Sequence, residues 1–229
     1  MPIDKRLASN PKKCLTGSVL AIRNAQGLLR CARLLVNQGE RGAAASLAIL
    51  ASEEAIKSTV LFFAAIPIDE AVQLVPTLRY HKSKHDAIKA MQVVMAPMEF
   101  LMECILDWED QRATDPTQVS ERPWTDIIPK FQEWVQEMIS NPHSEAALRI
   151  TWWESADAIK NSGLYVDFID GEWKFPNDVV SDRLDSALKY AEAVVQRSEQ
   201  LHTLPFDQIV ADFYKVKNEM QQRSLKVSE

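Results

Sequence analysis

The stretch from Gly42 to Ile68, GAAASLAILASEEAIKSTVLFFAAIPI, constrains this chain more than any other. It is filled with good helix formers and has no proline before Pro67, so it reads as one long helix. Apolar residues lie on all its faces, the pattern of a helix enclosed by others. Its length would suit a membrane span, but Glu53, Glu54 and Lys57 stand together near its middle and argue against one. A buried carboxylate or ammonium is costly unless it is paired. Glu53 and Lys57 are i,i+4, and Glu54 and Lys57 are i,i+3, so either acid can meet the lysine. One such pair uses one glutamate. The other needs a second partner, unless the strip is solvated where the helix surfaces.

Composition narrows the class. With only 6 glycines among 229 residues and a surplus of Ala, Leu, Glu, Gln and Lys, the chain leans towards helix. A net charge of −6 argues against a large non-specific nucleic-acid-binding surface, though not against a small local basic site. Cys14, Cys31 and Cys104 are odd in number and lack CxxC spacing, so they read as reduced thiols of a cytoplasmic protein. The polar start MPIDKRLASNPKK does not read as a signal peptide, and nothing in the sequence suggests a membrane partner.

Helix signals then run along the chain. Asn10-Pro11 starts a helix to Asn37, with Leu15, Val19, Ile22, Gln26, Leu29, Ala32 and Val36 at helical spacing. Gln38-Gly39 ends it and turns into the central helix, which stops at Pro67. Pro76-Thr77 marks a further start, and residues 77–110 read as a core helix. Trp124 to Ser140 and His143 to Lys160 follow as helices, and Asp178 or Ser181 opens another to about Leu201. Between them LYVDFIDGEWKFP alternates around Asp170-Gly171, a hairpin signal. The expectation is a single all-α domain over 1–229. It is an antiparallel helical bundle cored by helices 11–37, 41–66 and 77–110, with a small β-hairpin insertion near 163–176.

The second polar cluster is RYHKSKHDAIK, residues 79–89. His81 and His85 are i,i+4 with Lys84 beside them. Three chemistries fit such a set. Two histidines at this spacing suit zinc, with Glu53 or Glu54 as a third ligand. Arg79, Lys82 and Lys84 crowd the place with positive charge, however, and the HExxH form is absent. Phosphate chemistry is the second: Arg offers a fork, Lys a point charge and His a proton donor or acceptor near neutral pH, a set able to cleave RNA without metal. The third is a solvated basic helix start. The residues alone leave this choice open. Tyr165 and Asp167 could line a site, and His143 and His202 read as lone surface residues.

SLAILASEEAIKS, then HKSK about two dozen residues on, then GLYVDFIDGEWKFP, resembles the AbiV family of bacterial abortive-infection proteins, part of the HEPN superfamily. The resemblance spans roughly residues 10–200. It implies a HEPN-like helical bundle, usually a homodimer, with a composite site at or near the dimer interface. Many HEPN proteins are metal-independent ribonucleases with an Arg-x(4–6)-His motif, which Arg79 and His85 satisfy. His81 and Lys84 match the AbiV-type H-x-x-K element, and Glu54 and Lys57 match polar positions on the preceding helix. The implied site is therefore Arg79, His81, Lys84, His85, Glu54 and Lys57, with no cofactor and no metal. Either His81 or His85 would carry the chemistry. Two functions remain in view. One is a ribonuclease toxin acting on tRNA, mRNA or rRNA to halt translation, with a phage protein as activator. The other is a non-catalytic module that captures a nucleotide or a phage protein through the same cluster. The acidic net charge leans towards a protein partner or a small substrate. Whichever holds, Glu54 or Glu53 should face Arg79, His81, Lys84 or His85, either within one subunit or across a dimer two-fold.

Overall fold

The computed structural model describes residues 7, 10–66, 68–115, 117, 119, 123–141, 145–180, 183–211, 213–215 and 218. Pro67, His143, Ser181 and the QQRSLKVSE tail lie outside them. The chain is organised as two compact units, one of residues 1–84 with 157–229 and one of residues 85–156.

In the first unit, α1 (Pro11–Asn37) starts under an Asn10 cap, whose side-chain oxygen accepts from the Lys13 amide at 3.1 Å. It ends at Gly39, whose φ of +79° is open to glycine without strain. The central helix α2 (Arg41–Ala65) follows, and 18 of its 25 residues are buried. Its run of Ala44, Ala45, Ala48, Ala51 and Ala55 lets neighbours approach closely on several sides. Glu40 makes no side-chain cap for α2, and Asn177 takes that place from across the fold, its Oδ1 accepting from the Gly42 amide at 2.8 Å. Asn177 lies on α7 (Pro176–Val180), and α8 (Leu184–Leu201) packs along α2 and α1. Short α3 (Asp69–Leu74) and a 3₁₀ turn (Val75–Thr77) close one end over Val60, Leu61, Ala64 and Ala65.

The structure corrects three expectations here. The third helix of this core is α8, not 77–110. Thr77 belongs to the 3₁₀ turn, and the long helix α4 (His81–Thr114) begins four residues later, leaving this unit after Lys84. The helix expected from Asp178 or Ser181 to Leu201 is two helices, α7 and α8.

His202, read from sequence as a lone surface residue, is a half-buried clamp. The Ser18 hydroxyl donates to the Ser58 carbonyl at 2.7 Å, and the Ser58 hydroxyl returns the bond to the Ser18 carbonyl at 2.9 Å. Both hydroxyl oxygens then accept from His202 Nε2, at 3.2 Å and 2.9 Å, so that nitrogen carries the proton. This knot ties the end of α8 to α1 and α2, and the His202 ring meets Phe62 edge-on at 5.5 Å.

The second unit comprises α4 from His85, α5 (Pro123–Ser140) and α6 (Glu145–Ser162) as far as Ala156. Cys104, Trp108 and Ile127 are buried together there, and the Trp108 indole N–H donates to Asp126 at 3.2 Å.

The last turn of α6, from Asp157, belongs to the first unit, and Gly163 follows it. A Cβ on Gly163 would collide with Ser46 Oγ and lie 2.5 Å from the Gly42 carbonyl oxygen. The hairpin expected near 163–176 is present. β1 (Asp167–Ile169) pairs antiparallel with β2 (Glu172–Lys174) across Asp170 and Gly171, both at positive φ. Tyr165 lies 65% exposed before it. Among the described residues no helix is long and apolar enough to cross a membrane.

Two outcomes follow. Gly163→Ala should destabilise by about 1–3 kcal/mol in urea melts, because backbone rather than a flexible tip must yield. Burial holds the His202 imidazole below its ordinary value, so the fold keeps it neutral. Its contribution is complete above about pH 6.5 and is lost as pH falls towards the depressed value, because the unfolded chain takes up the proton first. Chemical denaturation at pH 7.5 and 5.5 should therefore show a smaller acid loss in His202→Gln than in wild type; equal losses would remove His202 as the cause.

Candidate functional site

Glu53 and Glu54 are neighbours in sequence, so their side chains leave α2 about 100° apart and meet different surroundings. Glu54 turns towards α1. Its carboxylate takes the Lys57 ammonium at 2.9 Å and the Asn24 amide at 3.1 Å, and this pair is partly open to solvent. Of the two acids that the sequence left open, Glu54 is thus the one that pairs with Lys57 and not with the 79–85 segment. Glu53 is the acid that turns inward, with 1% of its side chain exposed.

Three donors converge on it. Lys84 Nζ lies 2.6 Å from Oε2, His81 Nδ1 lies 2.5 Å from the same oxygen, and Lys160 Nζ lies 2.9 Å from Oε1. Lys160 also holds Asp157 at 2.7 Å. Both ammonium groups are buried, with 9% and 6% of their side chains exposed. A carboxylate paired on both oxygens is retained in an apolar surround where a lone one is not. His81 and Asp157, by contrast, are 51% and 52% exposed and form the open side of the cluster.

Local structure explains the placement. The amide of Lys84 closes the first turn of α4 onto the Tyr80 carbonyl at 3.3 Å, so the helix begins at His81. His81 and Lys84 are i,i+3 on that turn and reach the same acid. Lys160 arrives from the other side. Its carbonyl accepts from Ser46 Oγ at 2.8 Å, two turns before Glu53 on α2, and the Gly42–Gly163 contact lets the backbones come that close.

The chemistry follows from the donor set. A carboxylate only accepts, so His81 Nδ1 carries the proton that faces Glu53. With Nδ1 turned to Glu53, Nε2 is the ring nitrogen left for a ligand on this half-exposed side chain, and in a neutral ring it would carry the lone pair that proton transfer needs. Donor atoms of Glu53, His81 and Asp157 all lie within 4.8 Å of one another, a spacing that would also serve a metal ion. Two ammonium groups already sit on Glu53, and a divalent cation would meet their repulsion.

The remaining candidates stand elsewhere. His85 opens the second unit, where it is buried with its ring 5.9 Å from that of Trp153. Arg79 is exposed and lies over the Tyr80 ring at 4.5 Å. Lys160 and Asp157 were missed from sequence, although a signal existed. Ala156 and Ile159 mark an apolar face of α6, and Lys160 falls on it, where a lysine demands an acid.

No curated protein and no solved structure matches this chain. A family model, HEPN_AbiV (AbiV), matches residues 13–196 and so takes in α1, α2, the whole Glu53 cluster and the hairpin. With that span matched, the chain belongs to the AbiV family of HEPN proteins.

Proposed function

We propose that this AbiV-family protein is a metal-independent ribonuclease toxin of phage defence, acting as one cytoplasmic domain and as a homodimer. The observation that carries the reading is the half-exposed His81, held through Nδ1 by a buried acid that Lys84 and Lys160 fix in place. In this reading Nε2 takes the proton of a ribose 2′-OH while that oxygen attacks the adjoining phosphorus. The bond to the 5′-oxygen breaks, and the departing oxygen takes a proton from the imidazolium or from the second protomer's His81. The products are a 2′,3′-cyclic phosphate and a free 5′-OH, so atoms and charge balance without an added reactant. Exposed Arg79 and Lys82 stand on the same segment to meet phosphate charge. Cleaved tRNA, mRNA or rRNA would arrest translation in an infected cell.

The second reading is a binding module that captures a nucleotide or a phage protein without turnover. The hairpin favours a protein partner, because Phe168, Trp173 and Phe175 are 57%, 72% and 67% exposed at its surface.

The two readings separate on expression of wild type, His81→Ala, Glu53→Gln and Glu54→Gln, with RNA integrity and growth as readouts. The ribonuclease reading expects RNA breakdown in wild type and Glu54→Gln, and a loss of about 10²-fold or more in His81→Ala. Intact RNA with translation still arrested in wild type would overturn it in favour of binding. Stability should separate the two acids as well. Glu53→Gln leaves buried ammonium groups and should cost about 3–5 kcal/mol in urea melts. Glu54→Gln removes a part-exposed pair and should cost about 0–1 kcal/mol.

A further inference from the structure

Arg79 and Tyr80 stand immediately before the site and take no part in the Glu53 cluster. Tyr80 keeps 51% of its surface in solvent, yet its backbone is fixed on both sides. Its amide donates to the Thr77 carbonyl at 2.9 Å, and its own carbonyl accepts from the Lys84 amide. Tyr80 is therefore the residue that opens α4. Ser, Thr, Asp and Asn suit that position, because a short side chain can accept from the first free amides. A phenol ring cannot reach back to do so. Tyr80 also lies outside the apolar cluster that closes this end of the unit. An aromatic ring at a helix start that serves neither cap nor core is available for contacts outside the fold.

Arg79 adds the second observation. Its guanidinium carbon lies 4.5 Å from the centre of the Tyr80 ring. Lys84, Lys89 and Lys160 each sit on a carboxylate, whereas Arg79 forms no ion pair among the described residues. A guanidinium held over an aromatic ring keeps N–H donors with which it can grip a phosphate. His81 directly follows Tyr80, one Cα step of about 3.8 Å along the chain.

We infer that Tyr80, backed by Arg79, is a stacking platform for an unpaired nucleobase, and that it presents the neighbouring phosphodiester to His81. This rests on the ribonuclease reading above and names its substrate class: single-stranded RNA, as a loop, bulge or end. Bases inside a duplex are covered by their neighbours and cannot lie on a side chain, whereas splayed bases stack on aromatic rings and guanidinium planes. The platform also accounts for how a chain of net charge −6 takes an RNA. Stacking supplies affinity that phosphate contacts alone would have to provide through a wide basic surface.

The test uses a hexaribonucleotide containing 2-aminopurine and the full-length His81→Ala protein, which permits binding without turnover. Fluorescence should be quenched on binding, and the same RNA annealed to its complement should give no quench. Adding Tyr80→Ala should remove the quench and weaken binding about ten- to a hundredfold, while adding Tyr80→Trp should retain both. Circular dichroism checks that each variant is folded. Unchanged affinity and quench with Tyr80→Ala, or no binding of the single strand by the parent, would overturn the platform. Tyr80-dependent quenching in a protein whose wild type cleaves no RNA would keep the platform and remove the ribonuclease reading. Cleavage by wild type with a KM that Tyr80→Ala leaves unchanged would do the reverse.

Discussion

The carboxylate of Glu53 sits inside a helix that is apolar on every face, and two ammonium groups and an imidazole hold it there. Few arrangements carry a higher penalty if one member is missing, because an uncompensated charge in an apolar surround is worth more than the pair it belonged to. The cluster therefore dictates where three distant pieces of chain must go. Residues 81–84 have to lie against α2, and so does the last turn of α6. The loop after α3 must end four residues beyond Thr77 for His81 and Lys84 to reach the acid together.

Close backbone approach makes this possible. Gly42 and Gly163 touch where any side chain would collide, and Ser46 bonds the Lys160 carbonyl at that crossing. The small residues of α2 thus serve two ends. Alanines admit neighbouring helices, and Ser46 gives the Lys160 carbonyl, near the end of α6, a partner. Ser58 bridges on another face, where Ser18 and His202 join it and tie the end of α8 to α1 and α2. Short polar bridges between closely packed helices thus add to the apolar core of the first unit.

The site that results is asymmetric. Its floor is charged, buried and fully paired, and its open side offers one imidazole nitrogen, one carboxylate and the Arg79–Tyr80 stack. Paired charges on the floor orient and do not attract, so recognition has to come from the rim.

Much of this was legible in the sequence. The all-round apolar pattern of 42–66 announced an enclosed helix, its central charges announced a polar cluster, and Asp170-Gly171 announced a hairpin, because helix period, charge cost and turn geometry are local properties. The motif order announced the family. Other features depended on which distant surfaces meet. Sequence spacing could not choose between Glu53 and Glu54, since both are compatible with Lys57, and only the rotation of α2 within its neighbours turned Glu53 inward. It could not supply Lys160, 107 positions away from Glu53, nor move the third core helix from 77–110 to α8. Nor could it join His202 to Ser18 across 184 positions. The chain by itself determined that a charge would be buried; tertiary packing decided which one, and with whom, because pairing free energy is settled by geometry between segments and not by spacing along one.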